Sequence, residues 1–439
     1  MNILLIMADQ FAAHALDRSR DTDAHFRTPN LDRLAAESTV FAQAYTPFPL
    51  CVPARSAMVT GRYPHQLGIT SNAKGANGAA EPGHGPESLG HWFAAHGYDC
   101  AYAGKWHARG ASAETVDGFN PIHPFGDRGL VEACHSWLAD RDRDRPFLLV
   151  ASFDDPHTIC EYARSQPMPY GDVPHTPTAQ APPLPANFPP QPYAPVAVGV
   201  EAARAATVYG TAGFTPDEWR QYRAAYAELV ERVDRRIGAL LEGIDVSRTA
   251  VVFLSDHGDG DASHGWNQKT ALYQEAIRVP YLLHLPAVAP RTVDTPVAAV
   301  LGLLPTLCEV AGIDTPGGLA AVSALSETPA PVPVVVQTTF TDGPQGGPVT
   351  TGRAVVAGRY KYTVYNWGLH REQLHDVVAD PGEQRNLAVE AGSEEVLESM
   401  RAALFDWAVA HSDVAFLKKL VLPRSATVHQ REEIFSVPY

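Results

Sequence analysis

Cysteine is scarce, with five in 439 residues: Cys51, Cys100, Cys134, Cys160 and Cys308. An odd, scattered set is a poor disulfide framework and reads as reduced thiols. No CxxC spacing offers a metal or redox site. No apolar run is long enough to cross a bilayer, so no membrane partner is expected. The opening MNILLIMADQ is too short for a signal-peptide core, lacks a basic leader and runs into Asp9. It reads as the first buried strand of a cytoplasmic chain. Positive charge is also short: 34 Lys and Arg against 49 Asp and Glu leave a net charge of −15. A nucleic-acid backbone needs a broad basic surface, so nucleic acid is excluded as main partner. A local basic pocket for one small anion stays open.

What is present is a globular composition, 45% hydrophobic and 19% charged, with room for a large and a smaller domain. Apolar runs at 2–7, 98–104, 145–153, 249–255, 279–285 and 331–340 read as buried strands. Helical patterns lie between them at 30–37, 86–96 and 129–139. The clearest spans 216–243, with Thr215 as N-cap, Pro216 at the first position and Glu218 completing a capping box. Trp219, Tyr222, Tyr226, Leu229, Val233, Ile237 and Leu240 then form one apolar face. This alternation predicts an α/β class: a large, mostly parallel mixed sheet sandwiched between helices. After about residue 345 a hairpin pattern, RAVVAGRYKYTVYNWG, and a helix near 393–410 predict a smaller C-terminal α+β subdomain with an antiparallel sheet. The expected division is 1–345 and 346–439. Residues 167–195 are too proline-dense for regular structure and read equally as a surface excursion or as a wall beside a site.

Polar residues collect just after the predicted strands: Asp9 and Gln10; Lys105 and His107; Asp154, Asp155 and His157; Asp256, His257 and Asp259. Ligands of open α/β sheets bind beyond the carboxyl ends of the strands, where these clusters converge. Asp9, Gln10, Asp256 and His257 form an oxygen-rich donor set suited to one hard divalent cation, Ca²⁺, Mg²⁺ or Mn²⁺, rather than zinc. Singly, each such residue is more often a cap or turn residue. Arg55, Lys105, His107, His157 and Lys269 form a cationic set around the same crevice, fit for a compact tetrahedral anion. A helix beginning near Pro53 would aim its N–H groups at the same point.

Cys51, in PFPLCVPARSAMVTGRYPH, admits an inert buried thiol or a thiolate activated by Arg55 and the helix terminus. A third reading comes from resemblance. CVPAR matches the C-x-P-x-R core of the formylglycine-dependent sulfatase family, of the alkaline phosphatase-like superfamily. SAMVTGRYPH, NILLIMADQ, YAGKWH, FLSDHGD, KTALYQEAIRVP and DVVADPGEQRNLA resemble further family motifs in family order, from Asp9 to about Leu387.

The resemblance implies that Cys51 is oxidised to formylglycine by a formylglycine-generating enzyme that reads Pro53 and Arg55. The hydrated aldehyde, a geminal diol, would attack sulfur with one hydroxyl and expel sulfate when the other loses its proton. Asp9, Gln10, Asp256 and His257 would hold the metal with an oxygen at position 51, calcium first, manganese or magnesium next. Lys105 and His107 would bind sulfate, and His157 and Lys269 would flank the leaving group. Gln10 stands where many sulfatases carry a second aspartate, and His257 where others carry asparagine. Both variants occur in choline sulfatases and phosphonate monoester hydrolases, so a phosphonate monoester or phosphodiester hydrolase is the alternative. A non-catalytic anion-binding protein is the remote one.

The expected substrate is a small sulfate ester, a sulfated sugar or short saccharide ahead of an aryl sulfate, with choline sulfate third. Its pocket walls are expected from residues 70–78, the proline-rich excursion, 263–269 and 365–372. Trp266 and Trp367 would stack there, and Asn72, His264, His370 and Arg371 would hydrogen-bond.

Overall fold

The structure, a computed structural model, describes residues 1–18, 23–72, 84–109, 117–326, 332–340 and 349–436. Eight strands form the main sheet: β1 (Asn2–Asp9), β2 (Thr39–Phe41), β3 (Asp99–Gly104), β4 (Asn120–His123), β5 (Phe147–Pro156), β6 (Thr249–Ser255), β7 (Tyr281–His284) and β8 (Arg291–Val293). Their order is β4-β3-β5-β1-β6-β7-β2-β8. The block from β4 to β6 is parallel, while β7 runs antiparallel to both β6 and β2.

The side-chain period of two explains why β1 reads as an unbroken apolar run. Leu4, Ile6 and Ala8 face one core with the helix Pro216–Glu242. Ile3, Leu5 and Met7 face the other, with Ala54, Met58 and Val59 of the helix Cys51–Thr60 and Leu303, Leu304 and Leu307 of Leu303–Ala311. Both faces of the strand are covered.

The long helix forms as its pattern predicts, to within a residue. The Glu218 amide donates to Thr215 Oγ1 at 3.3 Å, and the Thr215 amide donates to Glu218 Oε2 at 2.6 Å, closing the capping box. All seven apolar-face residues named above are buried. Its polar flank does other work. Arg220 donates to the carbonyls of Thr178 and Ala181, Gln221 to that of Thr176, and Arg232 to that of Gly171. The proline-dense stretch 167–195 carries no helix or strand. Its backbone carbonyls are instead satisfied by this helix, which makes the segment a strap.

A second, antiparallel sheet comprises β9 (Val334–Thr339), β10 (Thr351–Ala357), β11 (Tyr360–Tyr365) and β12 (Glu372–Asp376), in the order β12-β11-β10-β9. The expected hairpin is β10–β11, and the expected helix is Glu394–Ala410. The run 331–340 belongs to this sheet and lies upstream of residue 346. Val334 and Val336 pack beside Tyr45, Leu272 and Ile277, while Val335 packs beside Leu404 and Phe405. Burial on both faces produces the same continuous apolar run as a central parallel strand, so periodicity could not separate the two sheets. Among the described residues no helix is long and apolar enough to cross a membrane.

Leu229, 0% exposed in the first core, tests how strongly the long helix is bound to the sheet. Leu229→Ala should lower unfolding free energy in urea by about 2–5 kcal/mol. A loss below about 1 kcal/mol would place little of the stability in this packing.

Candidate active site

Parallel pairing brings the carboxyl ends of β3, β5, β1 and β6 to one edge, with Gly104 opposite Ser152 and Ala8 opposite Ser255. Asp9 ends β1, Lys105 follows β3, Asp154 lies near the end of β5 and Asp256 follows β6. Gln10 then turns the chain at φ 65°, a left-handed conformation that a non-glycine residue adopts only under tertiary constraint. The constraint is visible. Its amide donates to Asp256 Oδ1 at 3.2 Å, and its carbonyl accepts from Tyr226 Oη at 2.7 Å.

The helix Cys51–Thr60 enters this edge with Cys51 as its first residue, two positions before the expected start. Asn72 Oδ1 accepts from the Val52 amide at 3.0 Å, which holds the helix terminus. Cys51 and Arg55 lie four residues apart on one helix face. Arg55 is 0% exposed. Its guanidinium donates to Asp256 Oδ2 at 2.7 Å, Asp9 Oδ2 at 3.1 Å, the Lys105 carbonyl at 2.7 Å and Ser152 Oγ at 3.0 Å. These donors serve the protein, so Arg55 organises the acidic pair.

Lys105 Nζ lies 2.8 Å from both Asp9 Oδ2 and Asp154 Oδ1. Lys269 Nζ donates to Gln10 Oε1 at 3.0 Å and to Cys51 Sγ at 3.2 Å. Burial opposes ionisation of the Cys51 thiol, but the charges of Lys269, His257 and Lys105 and a hydrogen bond from His107 outweigh it. The thiol is held well below its ordinary range. Asp9 is similarly depressed: burial and Cys51 work against the carboxylate, and Lys105, His157 and Arg55 outweigh them. The pocket is built to stabilise an anion at the tip of residue 51.

One ligand atom from each of Asp9, Cys51, Asp256 and His257 lies within 4.8 Å of the others, and all four residues are buried. His257 Nδ1 faces the Gly258 carbonyl at 3.0 Å, which can only accept. Nδ1 therefore holds a proton whether the ring is charged or neutral, and Nε2 faces Cys51 Sγ at 3.3 Å, where the neutral ring would offer its lone pair to the cluster. Gln10 Nε2 donates to Asp259 Oδ2 at 2.6 Å, turning its amide oxygen toward Lys269 Nζ at 3.0 Å and the Cys160 thiol at 3.8 Å. This donor set, two carboxylates and one imidazole around the residue 51 side chain, fits a divalent cation.

Of the sequence-predicted residues, Asp9, Gln10, Cys51, Arg55, Lys105, Asp256, His257 and Lys269 are joined in this one buried network. His107 reaches the thiol from a more exposed position at φ 43°. His157 stands beside it, its Nδ1 3.9 Å from Asp154 Oδ1. Burial works against its charged form, but Cys160 and Asp9 outweigh that and the repulsion from Lys105 and Lys269, pushing it up to about 10.

The expected pocket walls divide. Asn72 is at the site, whereas residues 73–78 lie outside the described residues. Trp266 is buried at 3% exposure against Phe340 and offers no stacking face. His264, 6% exposed, stacks on Tyr273 with ring centroids 3.9 Å apart and joins Glu275 and Glu383 at the junction with the second sheet. Its neighbourhood in SHGWNQK suggested a rim, but the chain turns inward at Asp261, Ala262 and His264, all at positive φ. His370 packs edge-on to Tyr193 of the strap, so those two expected walls do meet. The supporting positions that sequence left unassigned are Ser152, Tyr222, Tyr226, Gln268 and Cys160. Tyr222 Oη bonds both carboxylate oxygens of Asp259 at 3.0 Å. Both tyrosines lay on the predicted apolar face, where a hydroxyl needing a partner was the available signal.

Residues 1–313 match the sulfatase family profile, and residues 262–409 match the C-terminal region of N-sulphoglucosamine sulphohydrolase. The chain belongs to the sulfatase family. It is a sulfuric ester hydrolase by that membership. A Delta 4,5-hexuronate-2-O-sulfatase of Bacteroides thetaiotaomicron is 29% identical over 94% of this chain and 89% of its own length. A solved structure described as a 2-O GAG sulfatase superposes with a TM-score of 0.80 at 27% identity, covering 97% of this chain and 96% of that one. The phosphonate monoester hydrolase of Agrobacterium radiobacter shares the fold, with a TM-score of 0.71 at 18% identity over 93% of this chain and 96% of its own.

The His157 proton yields a pH prediction. A folded-state value raised from 6.5 to about 10 adds stability that is complete below 6.5 and lost as pH rises through 10. The difference in melting temperature between wild type and His157→Asn should therefore narrow from pH 6.5 to 10. A difference constant across that window would show that His157 holds no extra proton.

Proposed function

We propose that this sulfatase hydrolyses a sulfate monoester of a small organic molecule through residue 51, after a formylglycine-generating enzyme has oxidised Cys51. The observation that carries the reading is the anion-stabilising pocket around the buried Cys51 side chain. Hydrated formylglycine supplies a geminal diol: one oxygen attacks sulfur, and deprotonation of the other releases sulfate. Lys269 and His107 would hold negative charge at residue 51. Lys105, placed between Asp9 and Asp154, would present its ammonium to a sulfate oxygen. His157, protonated at neutral pH, would give its proton to the departing alcohol oxygen.

Asp9, Gln10, Asp256, His257 and residue 51 would hold one divalent metal, with calcium first and manganese or magnesium next. The cation supplies Lewis acidity and neutralises charge. The relatives that act on hexuronate and glycosaminoglycan sulfates support a sulfated sugar or short saccharide as substrate, ahead of an aryl sulfate. We assign this chemistry to a catalytic domain over 1–345 and read 346–439, with β9 as an upstream contribution, as the C-terminal subdomain.

Intact-mass analysis after co-expression with a formylglycine-generating enzyme should show the thiol-to-aldehyde change at residue 51. Cys51→Ala should then lose at least about 10³-fold in kcat/KM on nitrophenyl sulfate. Full activity in that variant would overturn the mechanism, and a higher kcat/KM on a phenyl phosphonate or phosphodiester would overturn the substrate class. Exhaustive chelation should abolish turnover, and added calcium should restore it. Activity that survives chelation would remove the metal from the reaction. Asp256→Asn should cost activity far more than stability, comparing kcat/KM with urea unfolding.

A further inference from the structure

Phe125 is 63% exposed, although the residues on either side of it are anchored. On one side His123 closes the loop on itself, its Nδ1 2.8 Å from the Pro124 carbonyl and its Nε2 2.9 Å from the Arg128 carbonyl. On the other side the buried Asp127 carboxylate accepts from the amides of Asp154 at 2.6 Å and Asp155 at 3.2 Å, and from Arg236 at 2.6 Å. The loop between β4 and the helix Leu130–Asp140 is thus fastened to the end of β5. Its aromatic tip is held in the open by a fixed frame.

The tip stands at the proposed reaction centre. Lys105 Nζ, whose side chain is 3% exposed, lies 5.7 Å from the Phe125 ring centroid. Across the same spot Tyr170 of the strap donates to Asp154 Oδ2 at 3.0 Å, and its hydroxyl is 3.6 Å from where a Cβ on Gly126 would sit. Phe125, Tyr170 and His157 therefore surround the Lys105–Asp154 pair from the outer side.

We propose that Phe125 is a specificity-determining residue, a platform for the C–H face of a ring in the leaving group of the sulfate ester. The proposal rests on the sulfatase reading above and adds the shape of the alcohol released. A large apolar ring left in water gains on being covered, and the face of a sugar or aryl ring covers it best. Sugar is the better match, because Tyr170 and His157 place polar groups beside the platform for ring hydroxyls. An acyclic cation such as a quaternary ammonium would also favour an aromatic face. Here the Lys105 ammonium, 5.7 Å from the ring, already faces the aromatic platform and would repel a second cation on it.

The test uses the full, formylglycine-bearing enzyme and the variants Phe125→Ala and Phe125→Trp. Substrates are a sulfated monosaccharide, nitrophenyl sulfate and a linear alkyl sulfate. Phe125→Ala should lower kcat/KM about 10-fold on the two ring substrates, mainly through KM, and leave the alkyl sulfate within about twofold. Phe125→Trp should restore the ring substrates. The melting temperature should stay unchanged, because the ring is exposed. The inhibition constant of inorganic sulfate reads any indirect effect through Lys105, 5.7 Å from the ring, and should change far less than KM for the ring substrates. Equal losses on all three substrates, or no loss on the ring substrates, would overturn the platform while the sulfatase reading stands. If wild type turns over none of the three, the small-ester substrate class proposed above fails while the family membership stands. Calorimetric titration with the sulfated monosaccharide then judges the platform alone: weaker binding to Phe125→Ala supports it, and equal binding overturns it.

Discussion

The guanidinium of Arg55 is the interaction on which the site depends. It is wholly buried and joins Asp9 at the end of β1, Asp256 after β6, the Lys105 carbonyl after β3 and Ser152 within β5. One planar cation thereby ties the carboxyl ends of four strands, a task that suits the fixed fork of arginine better than the point charge of lysine. Removing one partner of such a buried pair typically costs about 3–5 kcal/mol, because the other charge is left stranded. The same residue bonds both carboxylates and so holds them side by side. Cys51, one helical turn upstream, is delivered to the pair by the helix that carries Arg55.

Charges of both signs interleave in the crevice. Arg55 ties Asp9 to Asp256, Lys105 ties Asp9 to Asp154, and Lys269 reaches residue 51 itself. Burial opposes a charge on residue 51, but Lys269, His257 and Lys105 with the His107 hydrogen bond outweigh it, so its side chain is driven toward an anion. Supporting groups keep each partner oriented. Asp259 holds the amide nitrogen of Gln10, Tyr226 holds its backbone carbonyl, and the Gly258 carbonyl fixes the histidine tautomer. Such outer partners set geometry as firmly as direct ligands do.

Around this centre the fold adds material of a different kind. The strap 167–195 has no ladder of its own and takes its hydrogen bonds from the long helix, leaving Tyr170 free to reach Asp154. The second sheet closes the far side through a buried polar junction, where Asn187 of the strap donates to Glu275 and to the Gly382 carbonyl. The candidate site is built on strand ends, and the surfaces beside it on segments clamped by side chains. Strand ends cannot shift without breaking the sheet, whereas such segments can vary in sequence without disturbing it.

Much of this was legible in the chain itself. Runs buried on both faces and the capped amphipathic helix specified an α/β sandwich, because periodicity and capping are local properties. The convergence of the polar residues after four strands was also legible, because parallel strands must bring those ends to one edge. What local pattern could not carry was contact between distant segments. Val334–Thr339 reads as a strand of either sheet, and only its neighbours place it in the second. His264 and Trp266 read as a polar rim, and three left-handed residues turn them inward. Phe125 carried no signal in sequence, since a lone phenylalanine in a loop is ordinary. Its place beside Lys105 follows from Asp127 binding the backbone of β5, a contact between residues that only the folded sheet brings together.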